Sequence, residues 1–184
     1  MAARSEDAPV RVFAYGSLLW DPCFAFGSKQ PARLPGWVRR TCLWTVHARG
    51  SLGCPGLFYG LDAEPTGICD GAVYELSPDG LEEGLDRLWQ REMHAGVYEP
   101  RWLDLDVNGG ADVRALAFVV NRAHAQYTGP MDLETAAAYI ASARGKFGSC
   151  VDYYAATLAA LESEGLEDAD LRTLTQRAAA LAAR

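Results

Sequence analysis

The chain lacks a CxxC pair, a histidine pair at metal-binding spacing and any block of basic residues. It also lacks an apolar run near the ~20 residues that a membrane helix needs. Each absence removes a class of function. The cysteines Cys23, Cys42, Cys54, Cys69 and Cys150 are odd in number and unpaired in spacing. They give zinc ligation no support and are expected to be buried or half-buried free thiols of a reducing compartment. His47, His94 and His124 are far apart and match no metal pattern, so no metal site is expected. A net charge of −7 without a basic cluster argues against nucleic acid as a partner. Residues 1–8 lack the apolar core of a signal peptide, and the expectation is a cytoplasmic protein with no membrane association. No P-loop and no dinucleotide fingerprint occurs. The Tyr15-Gly16-Ser17-Leu18 turn lacks the second glycine of a nucleophile elbow, and no histidine has a sequence reason to approach Ser17.

What is present begins with Val12-Phe13-Ala14-Tyr15-Gly16-Ser17-Leu18-Leu19-Trp20. Val10, Val12 and Ala14 alternate with Arg11, Phe13 and Tyr15, which predicts a strand with at least one buried face. Gly16 and Ser17 end it. A strand that stops in a glycine turn leaves backbone N–H groups without ladder partners, and such groups can bind a carboxylate or another anion. Leu18, Leu19 and Trp20 follow in a loop, where large apolar side chains are expected to wall something.

Along the chain, residues 1–9 read as a disordered lead-in and residues 10–184 as a single domain. Asp21-Pro22 reads as a turn, and residues 24–30 and 31–36 as loop. Residues 37–48 predict one long strand or a bent pair. Residues 50–56 are loop, and residues 57–61 and 69–76 are short strands separated by a turn at Pro65 and Gly67. Ser77-Pro78 marks a helix start, with serine at the N-cap and proline at the first helical position. Residues 101–107 and 113–120 are two strands joined at Asn108-Gly109-Gly110, a hairpin signal. Residues 132–145, 149–164 and 167–183 are rich in Ala and Leu and read as three helices, punctuated by Gly148 and Gly165. Strands in the first two thirds and helices in the last predict an α+β fold.

The helix after Pro78 carries the candidate chemistry. Leu81, Leu85, Leu88 and Glu92 step by helical intervals, with Trp89 a further apolar position. If the helix reaches Glu92, its carboxylate points where the leucines point. Desolvation raises the pKa of such a group and makes it a usable proton shuttle. The alternative is a glutamate at a helix end, hydrogen-bonded to backbone or paired with an arginine. Arg91, beside it, would point elsewhere. Tyr98 follows a glycine turn and is either a half-buried strand tyrosine or a source of a hydrogen-bonding hydroxyl.

Four segments together resemble one family. They are Val12 to Trp20, Pro31-Ala32-Arg33-Leu34-Pro35-Gly36-Trp37, Arg91-Glu92 with Gly96-Val97-Tyr98, and Ala143-Arg144-Gly145 with Gly148-Ser149. In order and spacing they are similar to the ChaC family of glutathione-specific gamma-glutamylcyclotransferases. The resemblance implies a gamma-glutamylcyclotransferase-like fold, a small mixed barrel-like sheet with helices around it. It implies a lyase that cleaves glutathione to 5-oxoproline and cysteinylglycine without metal or organic cofactor. By the same resemblance Glu92 matches the catalytic glutamate, and Tyr15, Gly16, Ser17, Leu18 and Leu19 match the substrate-binding loop. Tyr98 matches a tyrosine near the catalytic carboxylate and Tyr153 a pocket tyrosine. Many relatives carry Asp-His-Arg-Gly where this chain has Val46-His47-Ala48-Arg49-Gly50, so no role is carried over to that loop, nor to Cys150, where many have asparagine. The expected partner is glutathione alone, bound by a monomer or weak dimer. Two other readings remain open: a cyclotransferase for other gamma-glutamyl amines or peptides, and a non-catalytic metabolite-binding module of the same fold. Whether the glycine turn holds the α-carboxylate or the oxyanion also stays open, as does whether Ser17 contacts substrate or caps the turn.

Overall fold

The computed structural model describes residues 9–107 and 109–184. The expected lead-in therefore lies outside the described residues except for Pro9, as does Asn108 of the expected hairpin turn. In chain order the elements are β1 (Arg11–Ala14), β2 (Phe26–Thr45), β3 (Gly56–Leu76), α1 (Leu81–Met93), β4 (Tyr98–Val107) and β5 (Ala111–Val120), followed by α2 (Leu133–Ser142), β6 (Arg144–Gly145), β7 (Gly148–Ser149), α3 (Cys150–Ser163) and α4 (Ala169–Ala182). A 3-10 turn, Ser17–Leu19, follows β1.

Strands β1 to β5 close into a barrel in the order β1-β3-β2-β4-β5. Strand β1 runs antiparallel to β3 and parallel to β5, where Val12 faces Leu116. The barrel buries Val12, Phe13, Leu34, Leu61, Leu105 and Ala117, and α2, α3 and α4 pack Ile140, Tyr154, Leu161 and Ala178 against the same core. The fold is α+β, as expected. The last three helices begin on side-chain caps: Asp132 accepts from the Thr135 N–H, Ser149 from Asp152 and Asp168 from Leu171. Among the described residues no helix is long and apolar enough to cross a membrane. All five cysteines are free.

Several sequence expectations are corrected. Residues 26–36 are the first half of the long strand β2, not loop. Pro31 and Pro35 are tolerated because β2 is laddered along β3, while among the described residues its pairing with β4 is confined to Arg33–Asp106, so its other edge demands few N–H donors. Residues 57–76 belong to one strand, not two. Pro65 and Gly67 sit where the register jumps: Pro35 faces Ile68 but Trp37 faces Ala63, and Gly36 takes a φ of 81° to make the bend. Helix α1 begins at Leu81 with Gly80 at its N-cap, not at Ser77. The Ser77 N–H donates instead to the Ala25 carbonyl at 3.0 Å, holding the chain in an extended path past the barrel. Trp89, placed with the apolar positions, is 53% exposed.

Candidate active site

The barrel strand β1 delivers Tyr15 to the floor of the site. Its ring is buried, and its hydroxyl donates to the Phe118 carbonyl of β5 at 2.8 Å. Gly16 opens the 3-10 turn, whose first bond runs from the Leu19 N–H to the Gly16 carbonyl at 3.0 Å. The N–H groups of Ser17 and Leu18 precede that bond, so the turn's own ladder does not use them. Leu18 and Leu19 turn their side chains into the core rather than walling a pocket. Their carbonyls accept from Tyr74 Oη at 3.0 and 3.1 Å, which pins the turn from below. What these two leucines can present to a ligand is backbone. Trp20 closes the turn, its indole donating to Thr157 Oγ1 of α3 at 3.2 Å.

Helix α1 reaches Glu92, and its side chain is only 14% exposed. Burial pushes the carboxyl above its ordinary range, while Arg91 and His94 pull it partly back. Arg91 Nε lies 3.5 Å from Glu92 Oε1. The same guanidinium donates through Nη2 to Ser17 Oγ at 3.0 Å, and through Nη1 to the Asp21 carbonyl at 2.7 Å. One arginine therefore spans from the carboxylate to the glycine turn. Sequence reasoning sent Arg91 elsewhere, because periodicity places a Cβ on a face but not the end of a long side chain. Both sequence alternatives for Glu92 hold in part: it is desolvated and it is paired.

The remaining tyrosines lie within electrostatic reach of the carboxylate. Tyr98 starts β4, and its hydroxyl donates to the Tyr59 carbonyl of β3 at 2.9 Å. Tyr153 lies on α3, where Ser149 caps the helix, and its hydroxyl stands beside Gly16: a Cβ on Gly16 would meet it at 3.4 Å. Burial raises the pKa of Tyr15, Tyr98 and Tyr153, and the Glu92 charge raises each further. All three phenols stay protonated at neutral pH. The structure thus gathers Tyr15, Gly16, Ser17, Glu92, Tyr98 and Tyr153 into one neighbourhood.

Two features were given no role from the sequence. The Arg49 guanidinium stands 5.8 Å from the Tyr153 ring and 6.0 Å from that of Trp20. Its loop is pinned by the turn between β6 and β7, with the Lys146 and Phe147 N–H groups donating to the carbonyls of His47 and Ala48. Arg39 donates through Nε to the Tyr15 carbonyl at 2.6 Å. A groove of about 360 Å³ between α1 and β4, lined by Leu85, Trp89, Trp102 and Phe118, holds none of the ionisable groups of the site. No metal-binding cluster occurs among the described residues.

The family model described as ChaC-like protein matches residues 10–180. The chain is 34% identical over 174 residues to the glutathione-specific gamma-glutamylcyclotransferase of Escherichia coli, covering 95% of this chain and 74% of that one. It is 29% identical over 144 residues to the human glutathione-specific gamma-glutamylcyclotransferase 1, covering 77% of this chain and 65% of that protein. Among solved structures, a gamma-glutamyl cyclotransferase specific to glutathione from yeast superposes with a TM-score of 0.86 at 19% identity, over 95% of this chain and 97% of that one. That likeness gives the fold, the gamma-glutamylcyclotransferase barrel. The family match and the bacterial relative, taken with an α1 glutamate joined to a glycine turn through Arg91, lead to one conclusion: the chain belongs to the ChaC-like protein family.

Proposed function

We propose that residues 10–184 form a single-domain gamma-glutamylcyclotransferase that converts glutathione to 5-oxoproline and cysteinylglycine. The observation that carries this reading is the buried Glu92 carboxylate, joined to the glycine turn through Arg91. The named activities of the bacterial and human relatives support the choice of substrate.

Glutathione carries its glutamyl α-amine within reach of its own γ-carbonyl carbon. At neutral pH that amine is an ammonium and not a nucleophile. Glu92, with its pKa raised by burial, accepts one ammonium proton and frees the lone pair. The amine attacks the γ-carbonyl, a new C–N bond closes the lactam, and an oxyanion forms. As the carbonyl re-forms, the old C–N bond breaks, Glu92 returns its proton to the departing cysteinylglycine nitrogen, and the second proton shed by the lactam nitrogen is relayed through Glu92 to the same amine, which leaves as an ammonium. Each proton is accounted for and no electron changes hands. A positioned acid–base group contributes roughly 10²–10⁴ in rate, and holding the chain bent supplies much of the remainder.

The N–H groups of Gly16, Ser17 and Leu18 serve the glutamyl end, on its α-carboxylate or on the oxyanion. Ser17 Oγ already accepts from Arg91, so its first role is to hold the turn to α1. Tyr15, Tyr98 and Tyr153 shape and dry the pocket, and Arg49 places positive charge near Tyr153. A monomer or weak dimer is the oligomeric state expected of this reading. Free cysteines and a thiol substrate fit the cytoplasm, where glutathione keeps thiols reduced.

The test is Glu92→Gln, which keeps shape and removes basicity. Release of 5-oxoproline from glutathione is expected to fall by about 10²–10⁴. Activity within a few-fold of wild type would overturn the assignment. Parallel incubations with γ-glutamyl-alanine and γ-glutamyl-lysine are expected to give little product, which separates glutathione specificity from broader cyclotransfer.

A further inference from the structure

Arg39 lies in the middle of β2, yet its side chain is only 3% exposed, an unusual place for a guanidinium. Burying a charge there is costly unless its donors are met. They are met in three directions: Nη1 pairs with the Asp168 carboxylate, Nη2 donates to the Asp70 carbonyl, and Nε donates to the Tyr15 carbonyl at 2.6 Å. Asp168 is the N-cap of α4 and Asp70 belongs to β3, so two of these bonds tie scaffold to scaffold. The third reaches the substrate turn.

The Tyr15 carbonyl belongs to the same peptide unit as the Gly16 N–H. No peptide bond among the described residues is cis, and in a trans unit the carbonyl and the N–H point in opposite directions. Fixing the carbonyl on Arg39 therefore fixes the Gly16 N–H away from it. A cation on the carbonyl oxygen also polarises the unit and strengthens the N–H as a donor. We propose that Arg39 is a positioning residue for catalysis, acting through the Tyr15–Gly16 peptide to aim and strengthen the Gly16 N–H toward substrate. This rests on the cyclotransferase reading above. It assigns a buried strand arginine, which touches no substrate atom, a part in the reaction.

The experiment compares Arg39→Lys and Arg39→Met with wild type by steady-state kinetics on glutathione and by the amide spectrum of ¹⁵N-labelled protein. A control variant, Arg122→Met, removes one cation from the buried Asp62 and leaves the turn alone. Arg39→Met is expected to lower kcat/KM by about tenfold or more, short of the 10²–10³ seen on removing an oxyanion donor itself. Arg39→Lys, which keeps a charged donor, recovers part of that loss. The Gly16 amide proton resonance moves upfield in Arg39→Met. Arg122→Met loses thermal stability but keeps kcat/KM within a few-fold. If Arg39→Met does not fold, Arg39→Lys against wild type carries the same two readouts. Wild-type kcat/KM in a folded Arg39 variant, or an unmoved Gly16 resonance, overturns the proposal. A wild-type protein that releases no 5-oxoproline overturns the functional reading instead, and the Gly16 resonance still decides whether Arg39 controls that peptide.

Discussion

Arg91 Nη2 donates to Ser17 Oγ across 3.0 Å, and this bond joins helix α1 to the turn after β1. The residues are far apart in the chain, and the contact brings the buried carboxylate next to the turn it is proposed to serve. It also gives Arg91 two separable duties, one on geometry and one on charge.

The charge duty predicts a change in the pH profile. Arg91 opposes the burial that raises the Glu92 pKa. Replacing it in Arg91→Met removes that opposition, so the Glu92 pKa rises further. The base form of Glu92 is the carboxylate, and the acid limb of the kcat/KM profile should therefore move to higher pH. A limb that stays in place or moves down would show that Arg91 does not set the Glu92 charge. Arg91→Lys should move the limb less than Arg91→Met.

Glu92 should also lower the stability of its own fold. Its folded pKa is raised, so the native state binds more protons than the unfolded chain between the two pKa values. Stability then falls as pH rises through that window, from the unfolded value near ~4.3 upward. A tenfold difference in proton affinity between the folded and unfolded states is worth about 1.4 kcal/mol. Glu92→Gln is expected to be at least as stable as wild type at neutral pH, with the difference shrinking below the unfolded pKa. Urea denaturation of both proteins at acidic and neutral pH measures it, and a Glu92→Gln protein less stable at neutral pH refutes it.

Tyr98 donates its hydroxyl to the Tyr59 carbonyl, a backbone partner, and not to Glu92. Tyr98→Phe leaves that buried carbonyl without its donor, at a cost of about 1–3 kcal/mol. The thermal midpoint should fall, while the acid limb of the pH profile stays in place. A moved limb with unchanged stability would assign the hydroxyl to the carboxylate instead.

Gly16→Ala separates folding from binding. Gly16 has a φ of −133°, outside the left-handed region that favours glycine. The added methyl would sit 3.4 Å from Tyr153 Oη, ordinary contact distance. The protein should fold with a thermal midpoint near wild type. The methyl occupies the space between the turn and the Tyr153 hydroxyl, so kcat/KM should fall by about tenfold or more. Full activity in this variant would mean that substrate does not pass between Gly16 and Tyr153.

Local chemistry made part of this protein legible in its residues. Strand β1, the β4–β5 pair, the three C-terminal helices and the apolar register of Leu85, Leu88 and Glu92 all follow from side-chain periodicity, which neighbouring residues encode. The glycine turn after Tyr15 was equally plain. Prolines misled where the outcome depended on a neighbour. Pro31 and Pro35 read as loop, yet lie in β2 because that edge of the strand needs few N–H donors, a condition set by the barrel. Ser77-Pro78 carried a sound helix-start signal, but Gly80 takes a φ of 75° and the helix starts only after it.

The amino-acid sequence by itself determined the α+β class, the family and the residue types of the candidate site, because motifs and periodicity are local. Only the tertiary structure decided how the site is wired. Arg91, Arg39 and Arg49 each end on groups from distant elements: Ser17, the Tyr15 carbonyl, and the rings of Trp20 and Tyr153. A long flexible side chain can reach many targets from one backbone position, and barrel closure selects among them.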